Sequence, residues 1–221
     1  MAHLFTDVRA RAVALVAAAL AVVAAGLALA GRGPAAYHEP FDAPGSWGQY
    51  NAFSPEGSGT VADGVYNLQV TLPRQRAWAT AERWFQGDAR YSVEVTQVEG
   101  PLTNAHGLIW HVDEPGEGFY FFLITPDGLF SAGYCVNECL GAERNMTRGW
   151  QPSDAIHAAG ETNTLAVRAE GNRYTFFIND EQVWEATESK FTEGDIGLML
   201  ETYSEGGAWV QFDNFRVEPL G

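Results

Sequence analysis

The sequence predicts an all-β protein, a sandwich of two antiparallel sheets preceded by one hydrophobic N-terminal helix. From residue 34 onward, apolar and polar residues alternate with a period of two over short runs, as in half-buried antiparallel strands. Gly, Asn, Asp and Pro separate these runs at the spacing typical of sandwiches and barrels. Residues 12–30, in contrast, contain neither a charge nor an alternation. The chain therefore divides into a leader and one β-domain.

The leader has the composition of a membrane-directed segment. Residues 12–30 comprise ten Ala, four Val, four Leu and one Gly, and Arg9 and Arg11 precede them. This run is just long enough to span a bilayer as a helix. It also fits a secretory signal whose cleavage site is the small-residue sequence at 28–30. Residues 1–33 are therefore predicted to be either a signal peptide or a signal-anchor transmembrane helix.

The acidic charge of the chain belongs to the part that follows the leader. The protein has 28 Asp and Glu against 13 Lys and Arg, a net charge of −15, and residues 34–221 alone carry −17. Such a surface repels phosphate backbones, which excludes nucleic acid as a partner. Basic residues ahead of an apolar segment stay in the cytoplasm. The domain at 34–221 is therefore expected to be extracytoplasmic, anchored to the cell membrane by the N-terminal helix or secreted if the chain is cleaved after Ala30.

Individual strands can be recognised from the alternation. Four runs have one apolar face, namely 66–72 (with Tyr66, Leu68, Val70 and Leu72), 91–95, 165–169 and 174–178. Residues 119–124 are apolar at every position, which predicts a central strand covered on both faces. The pair Gly171-Asn172 predicts a turn between two of the strands. One helical turn is expected near residues 153–159.

Short motifs follow these strands in a recognisable order. They are Phe41-Asp42 with Trp47, then 107–111, 119–122, 127–128, 163–167, 176–180, 194–198 and 212–217. This order resembles the concanavalin A-like lectin/glucanase superfamily, and more narrowly its laminin-G-like and 3-keto-disaccharide hydrolase-type domains, over nearly all of 37–221. The resemblance implies a jelly-roll sandwich whose first and last strands lie side by side. It implies less about function, because such families include lectins, enzymes and adhesion modules.

Aromatic residues are the main candidates for ligand binding. Sugars have apolar faces that stack on rings, while their hydroxyls need polar partners nearby. A concave sheet face lined with such residues would suit a glycan, and the candidates are Trp78, Trp84, Trp110, His111, Tyr120 and Trp150. In one strand register Trp110 shares a face with Tyr120, and in the register shifted by one residue His111 lies beside Tyr120. The sequence leaves both registers open.

Two cysteines lie close together in the part of the chain that is expected to be exported. Cys135 and Cys139 are separated by three residues. An oxidising compartment favours a disulfide between them, with two free thiols as the alternative.

Calcium is the one cofactor that the carboxylates suggest. Asp113 lies in a loop with Pro and Gly that could offer oxygen ligands or form a solvated hairpin tip. Asp42 and Asp213 lie on the terminal strands that the resemblance makes adjacent, where they could bridge backbone amides or hold calcium. The histidines lack the spacing of a zinc site.

Three functions suit an extracytoplasmic domain of this kind. The leading prediction is a non-catalytic binding module for glycan. The second is an accessory subunit of a membrane or cell-surface assembly, in which the helix itself packs against a partner protein. The third is a glycan-cleaving hydrolase, which needs two carboxylates across a groove. The sequence contains neither Glu-x-Asp-x-x-Glu nor Gly-x-Ser-x-Gly, and Glu201, at the end of a predicted strand, has no second acid that the sequence pairs with it.

Overall fold

A computed structural model describes residues 35–45, 47, 51–52, 57–113, 118–136 and 144–221, without the side chains of 51–52 and 144. Within these residues the regular structure consists of strands alone. In chain order they are β1 (Tyr37–Glu39), β2 (Asn51–Ala52), β3 (Gly57–Ala62), β4 (Val65–Val70), β5 (Arg76–Thr80), β6 (Phe85–Gln86), β7 (Ala89–Glu99), β8 (Ala105–Val112), β9 (Gly118–Thr125), β10 (Leu129–Val136), β11 (Arg144–Asn145), β12 (Gln151–Pro152), β13 (Asn163–Glu170), β14 (Arg173–Ile178), β15 (Glu181–Thr187), β16 (Glu193–Glu201) and β17 (Ala208–Pro219).

The described strands form two antiparallel sheets. The eight-stranded sheet has the order β15-β14-β13-β7-β17-β4-β3, with β1 paired to β17. The nine-stranded sheet has the order β11-β10-β9-β8-β16-β5-β2, with β12 paired to β10 and β6 paired to β16. Tyr37 of β1 lies opposite Val217 of β17, so the first and last strands are neighbours. The predicted two-sheet antiparallel sandwich is confirmed.

Alternation along the strands decides which side chains form the core. In β4, Tyr66, Leu68 and Val70 are buried while the residues between them are partly exposed, as the sequence predicts. The prediction that Leu72 continues this buried face is wrong, because the strand ends at Val70 and Leu72 is 40% exposed. Pro73 follows, and a proline cannot donate a hydrogen bond to a strand ladder.

Of three further local predictions, two are confirmed and one is wrong. All eight residues of β9 are buried, which confirms a central strand covered on both faces. The hairpin between β13 and β14 turns at Gly171 and Asn172, also as predicted. Residues 153–159 contain a turn at 154–155 and the start of another at 159, but no helix, so the expected helical turn is wrong.

Large aromatic side chains fill the space between the sheets. Trp110 has no exposed surface and stacks on Tyr91 and Tyr120, with ring centroids 6.5 and 5.4 Å apart. Tyr174 from the facing sheet packs against Tyr120 at 5.1 Å. Such rings each bury roughly 150–250 Å², so they dominate the hydrophobic stabilisation of the core.

A β-bulge interrupts the pairing of β8 with β16. Ile196 lies opposite Trp110 but Asp195 lies opposite Val112, so His111 is an additional residue without a partner in β16. His111 has a φ of 49°, which is uncommon for a residue other than glycine. The bulge brings the ring of His111 within 5.9 Å of both Tyr91 and Tyr120. Trp110 lies opposite Tyr120 in the pairing of β8 with β9, which is the first of the two registers that the sequence left open. The ring of His111 approaches Tyr120 because of the bulge and not because of a shifted register.

Two sequence predictions fall on residues outside the described part of the chain. The hydrophobic segment at 12–30 lies there, and in the described part no helix has the length and apolar character needed to span a membrane. Cys139 also lies there, whereas Cys135 is fully buried and the described residues include no free cysteine. The Cys135–Cys139 disulfide stays a prediction. The test is to alkylate the protein without a reductant and to measure its mass, because alkylation of both cysteines would contradict the disulfide.

Candidate functional site

The face of the nine-stranded sheet that is turned away from the eight-stranded sheet, called the outer face below, carries a second apolar cluster. Because side chains alternate between faces, the residues next to the core positions of β8, β9 and β16 point to this side. The cluster includes Trp78, Ile109, Phe119, Phe121 and Met199. Trp78 packs against Phe119 with ring centroids 6.0 Å apart. An antiparallel sheet often exposes polar residues on such a face, but the side chains of this cluster are at most 9% exposed.

One end of the outer face holds a pocket of about 90 Å³. It is lined by Arg76, Phe121, Leu123, Ser131, Asn145, Gly149, Trp150, Met199, Glu201 and Tyr203. The apolar side chains are almost fully buried and form its base, while the polar and aromatic ones surround them. We call this the outer-face pocket. Its volume is that of roughly three water molecules. A pocket of this size can contact one face of a sugar-sized ring but cannot enclose a whole ligand.

An ion pair borders the pocket. Arg76 and Glu201 are 125 residues apart, and the pairing of β5 with β16 places them opposite each other. Their side chains are joined by a 2.6 Å contact, and each is 17% exposed. The Tyr203 hydroxyl donates to the other carboxylate oxygen of Glu201 at 3.3 Å. This arrangement presents donors and acceptors side by side at the pocket.

Two aromatic side chains stand beside the ion pair. Trp150 is 36% exposed, and its ring meets that of Tyr203 edge to face at 6.4 Å. Asn104 fixes the backbone of Tyr203, because its side-chain oxygen accepts the Tyr203 N–H at 3.2 Å. Thr147 fixes the turn that carries Trp150, because its buried hydroxyl donates to the Gly149 carbonyl at 2.9 Å and accepts from the Ala132 N–H at 3.1 Å. Trp150 is therefore an exposed ring on an anchored turn.

The combination of groups determines what the pocket can bind. A sugar hydroxyl both donates and accepts hydrogen bonds, and the Arg76–Glu201 pair with Tyr203 offers partners of both kinds. The apolar face of a sugar ring can stack on Trp150. A pocket with an apolar base and a few placed polar groups is the usual form of a small-molecule site.

The acid of the outer-face pocket has no second carboxylate near enough for the usual glycosidase pair within the described part of β8, β9 and β16. The outward positions of these strands carry three acids, Glu193, Asp195 and Glu201, all on β16. Glu201 is six residues of extended strand, about 20 Å, from Asp195 and farther from Glu193. Glycosidases hold their two carboxyl groups about 5–10 Å apart. Asp195 also accepts hydrogen bonds from the backbone N–H groups of Arg83 and Ile196, at 2.9 and 2.7 Å.

The aromatic residues predicted to bind ligand lie in three different places. Trp150 borders the outer-face pocket. Trp78 lies on the same face, beside Met199, and Met199 forms part of the base of the pocket. Trp84 is 55% exposed near the other end of β16, where its indole N–H donates to Glu193 at 3.2 Å.

The remaining three predicted residues, Trp110, His111 and Tyr120, lie in the interior. Trp110 and Tyr120 have no exposed surface, and His111 is 3% exposed. The Tyr120 hydroxyl accepts the backbone N–H of Phe191 at 2.9 Å, and burial raises its pKa. Side chains without exposed surface cannot stack on an external glycan, so these residues support the fold around the site rather than form part of the pocket.

The residues suggested for calcium are not assembled into a metal site within the described part of the chain. No group of three His, Cys, Asp or Glu side chains there has the geometry to hold an ion. Asp213 accepts the N–H of Asn214 at 2.6 Å; burial and the charges of Glu94 and Asp42 raise its pKa. Asp113 donates its backbone N–H to Gly118 at the β8–β9 hairpin. The calcium expectation receives no support from these positions.

Sequence reasoning missed most of the polar residues of the pocket. The sequence alone identifies Glu201 as an acid at a strand end, but it does not single out Arg76 or Tyr203. The available signal is that Glu201 and Tyr203 are two residues apart and can share a face. Arg76 joins them only through the pairing of β5 with β16, which no local pattern reveals.

The fold is shared with solved structures of carbohydrate-active proteins. The chain superposes on carbohydrate-binding module CBM66 from Bacillus subtilis with a TM-score of 0.59 and 19% identity, over 79% of this chain and 96% of that one. It superposes on a lichenase derived from a mouse hindgut metagenome with a TM-score of 0.62 and 16% identity, over 84% and 99%. For a β-glucanase from Bacillus licheniformis the values are 0.60 and 12%, over 86% and 100%.

These likenesses show the fold alone, because the identities are low. The neighbours have the concanavalin A-like jelly roll, which confirms the fold that the resemblance predicted. No family model and no curated protein sequence matches this chain.

Proposed function

We propose that this protein is a non-catalytic glycan-binding module and that the outer-face pocket is its binding site. The observation that carries the proposal is the position of Trp150 and Tyr203 beside the Arg76–Glu201 pair over an apolar base. A sugar ring stacks on Trp150, and its hydroxyls exchange hydrogen bonds with the ion pair. The name of the neighbouring carbohydrate-binding module is consistent with this ligand class.

Hydrolysis of a glycan is the alternative function, because two of the structural neighbours are glucanases. Glu201, the one acid among the residues lining the outer-face pocket, lies about 20 Å from Asp195 and farther from Glu193. This distance favours binding at the pocket, because a paired mechanism needs both carboxyls at one glycosidic bond. Glu201 moreover pairs with Arg76 at 2.6 Å and accepts the Tyr203 hydroxyl at 3.3 Å, so both of its carboxylate oxygens already have partners within the protein.

We further propose that the module acts outside the cytoplasm, tethered by the helix expected at residues 12–30. The charge-free run and the arginines before it support this location. Fractionation of cells that express the full chain tests it: membrane association is expected, and a cytosolic chain would contradict it. A protein that copurifies with the chain through residues 1–33, in the absence of any bound glycan, would favour the assembly-subunit alternative.

Replacing Trp150 with alanine should weaken glycan binding by about tenfold or more. Loss of an exposed aromatic contact at the centre of a binding site costs at least about 1.4 kcal/mol, which is a factor of ten in Kd. The measurement is a titration of the full chain with the glycan that it retains best on an array. Thermal unfolding of the variant should be nearly unchanged, because Trp150 is partly exposed.

Trp84→Ala is the matched control. This residue is also an exposed tryptophan, but it lies beside Glu193, roughly 25 Å along β16 from Glu201. Its removal should leave the Kd unchanged. Equal losses in both variants, or no loss in Trp150→Ala, would rule out the outer-face pocket as the site.

A further inference from the structure

A second concavity lies at one edge of the sandwich, where the edge strands of the two sheets face each other. It has a volume of about 460 Å³ and is lined by Tyr134, Asn145, Met146, Arg148, Trp184, Glu185, Ala186, Thr187 and Glu188. We call it the edge groove. Its volume falls within the range of ligand sites, roughly 300–1,000 Å³. Neither the predicted site residues nor the outer-face pocket accounts for it.

Two aromatic rings are held in fixed positions along the groove. The indole N–H of Trp184 donates to the Met146 carbonyl at 3.2 Å, so the polar edge of this ring is satisfied within the protein. Tyr134 meets Tyr120 and Phe191 edge to face, with ring centroids 6.1 and 6.2 Å apart. Both rings are partly buried and packed against the core. Fixed rings of this kind are suited to stacking on a sugar at little entropic cost.

The two acids in the groove differ in their partners, a cation for Glu185 and a backbone N–H for Glu188. Glu185 pairs with Arg173 at 2.7 Å, and this contact lowers the pKa of the carboxyl. Glu188 accepts the backbone N–H of Ser189 at 2.8 Å. The hydrogen-bonding capacity of both carboxylates is therefore partly used within the protein.

The cation of the groove, Arg148, is in a different situation. It is exposed and forms no ion pair with any described residue. Its backbone has a φ of 61°, a conformation that costs a residue other than glycine about 1 kcal/mol or more. The buried Thr147 imposes it through hydrogen bonds to Ala132 and Gly149. The fold thus holds, at the groove of a protein whose net charge is −15, a guanidinium that forms no ion pair within the described part of the chain.

The edge groove and the outer-face pocket are neighbours. Asn145 lines both of them, and the short segment from Asn145 to Trp150 separates them, with Arg148 on one side and Trp150 on the other. One extended ligand can therefore cross this segment and occupy both.

We propose that the edge groove binds a uronate, a sugar residue that carries a carboxylate, within the same glycan whose neutral part occupies the outer-face pocket. Arg148 pairs with the carboxylate, since a guanidinium matches the planar geometry of that group. Trp184 and Tyr134 contact the ring. The inference rests on the proposed glycan-binding function and deepens it by naming an acidic oligosaccharide as the ligand class.

The test is a glycan array that carries uronate-containing oligosaccharides, each beside its carboxyl-reduced, neutral counterpart. The full chain should retain a uronate oligosaccharide more strongly than the reduced form. Arg148→Gln should lower affinity for the uronate form by about tenfold or more, the usual effect of losing a charge-assisted hydrogen bond. Affinity for the reduced form should not change.

Arg168→Gln is the control for long-range charge. Arg168 is an exposed arginine on the eight-stranded sheet that pairs with Glu170, so its loss changes the net charge equally without touching the groove. Equal effects of the two variants, or no preference for uronates, would overturn the acidic subsite. The proposed glycan-binding function would still hold in that case if the chain bound neutral glycan and Trp150→Ala weakened that binding. An array that retains neither form would overturn both. Thermal unfolding of each variant checks that folding is preserved.

Discussion

Two histidines that are buried in their neutral form should together lower the stability of the fold by about 6 kcal/mol between pH 7 and pH 4. Burial lowers the pKa of His106 to about 3 and that of His111 to about 4. The Nδ1 atoms of both rings are buried without a hydrogen-bond partner. In the unfolded chain both rings bind a proton near pH 6.5. The contribution of these two histidines to stability is therefore fully present above pH 6.5 and is lost as the pH drops toward the folded-state values.

The expected size of the effect follows from the shifts. Between pH 6.5 and pH 4, each histidine costs on the order of 3 kcal/mol, which is large against a typical total of about 5–15 kcal/mol. Denaturant unfolding at pH 7, 5.5 and 4 measures it. His106→Leu should remove about half of the pH dependence, because leucine cannot titrate. An unfolding midpoint that stays constant from pH 7 to pH 4 would show that the buried rings do not control acid stability.

The second large effect is expected at Gly194, where replacement with alanine should lower the free energy of unfolding by about 3 kcal/mol or more. Gly194 has a φ of 151°, and an added Cβ would lie 2.5 Å from the carbonyl carbon of His111 and 2.6 Å from the carbonyl oxygen of Val112. Both are backbone atoms of the bulge, so no side-chain rotation can relieve the overlap, and overpacking of this kind typically costs about 1–3 kcal/mol in addition to backbone strain. Denaturant unfolding at pH 7 measures the loss.

Gly171→Ala is the matched comparison. Gly171 also has a positive φ, 57°, but nothing lies within 4 Å of an added Cβ, so only the backbone cost of about 1 kcal/mol should remain. If the two variants lost equal stability, the close approach of Gly194 to the bulge would be unimportant. A displaced bulge should also alter the environment of Tyr91, whose hydroxyl lies 3.2 Å from His111 Nε2, and near-ultraviolet circular dichroism would report it.

Most of the fold could be predicted because strand identity is encoded locally. Tyr66, Leu68 and Val70 alternate with polar residues, and this pattern alone places them in the core. The apolar run of β9 indicated a covered strand. The prediction failed at Leu72, where a proline ended the alternation.

The site could be predicted only in part because it depends on pairings that are distant in sequence. Trp150 was identified from the general preference of sugars for aromatic rings. Arg76 and Glu201 meet only through the register of β5 on β16. The bulge at His111 also depends on the facing strand, where Gly194 admits the extra residue. Trp110 and Tyr120 belong to the core because the strand register turns both rings toward the facing sheet, and composition alone does not determine that register.

The crystal structure of the full chain with the glycan that it retains best tests the central proposal most directly. The proposal predicts a sugar ring against the indole of Trp150, with hydroxyls at about 2.7–3.2 Å from Arg76 and Glu201. A glycan on the eight-stranded sheet, or one at the other end of the outer face beside Trp84, would contradict it.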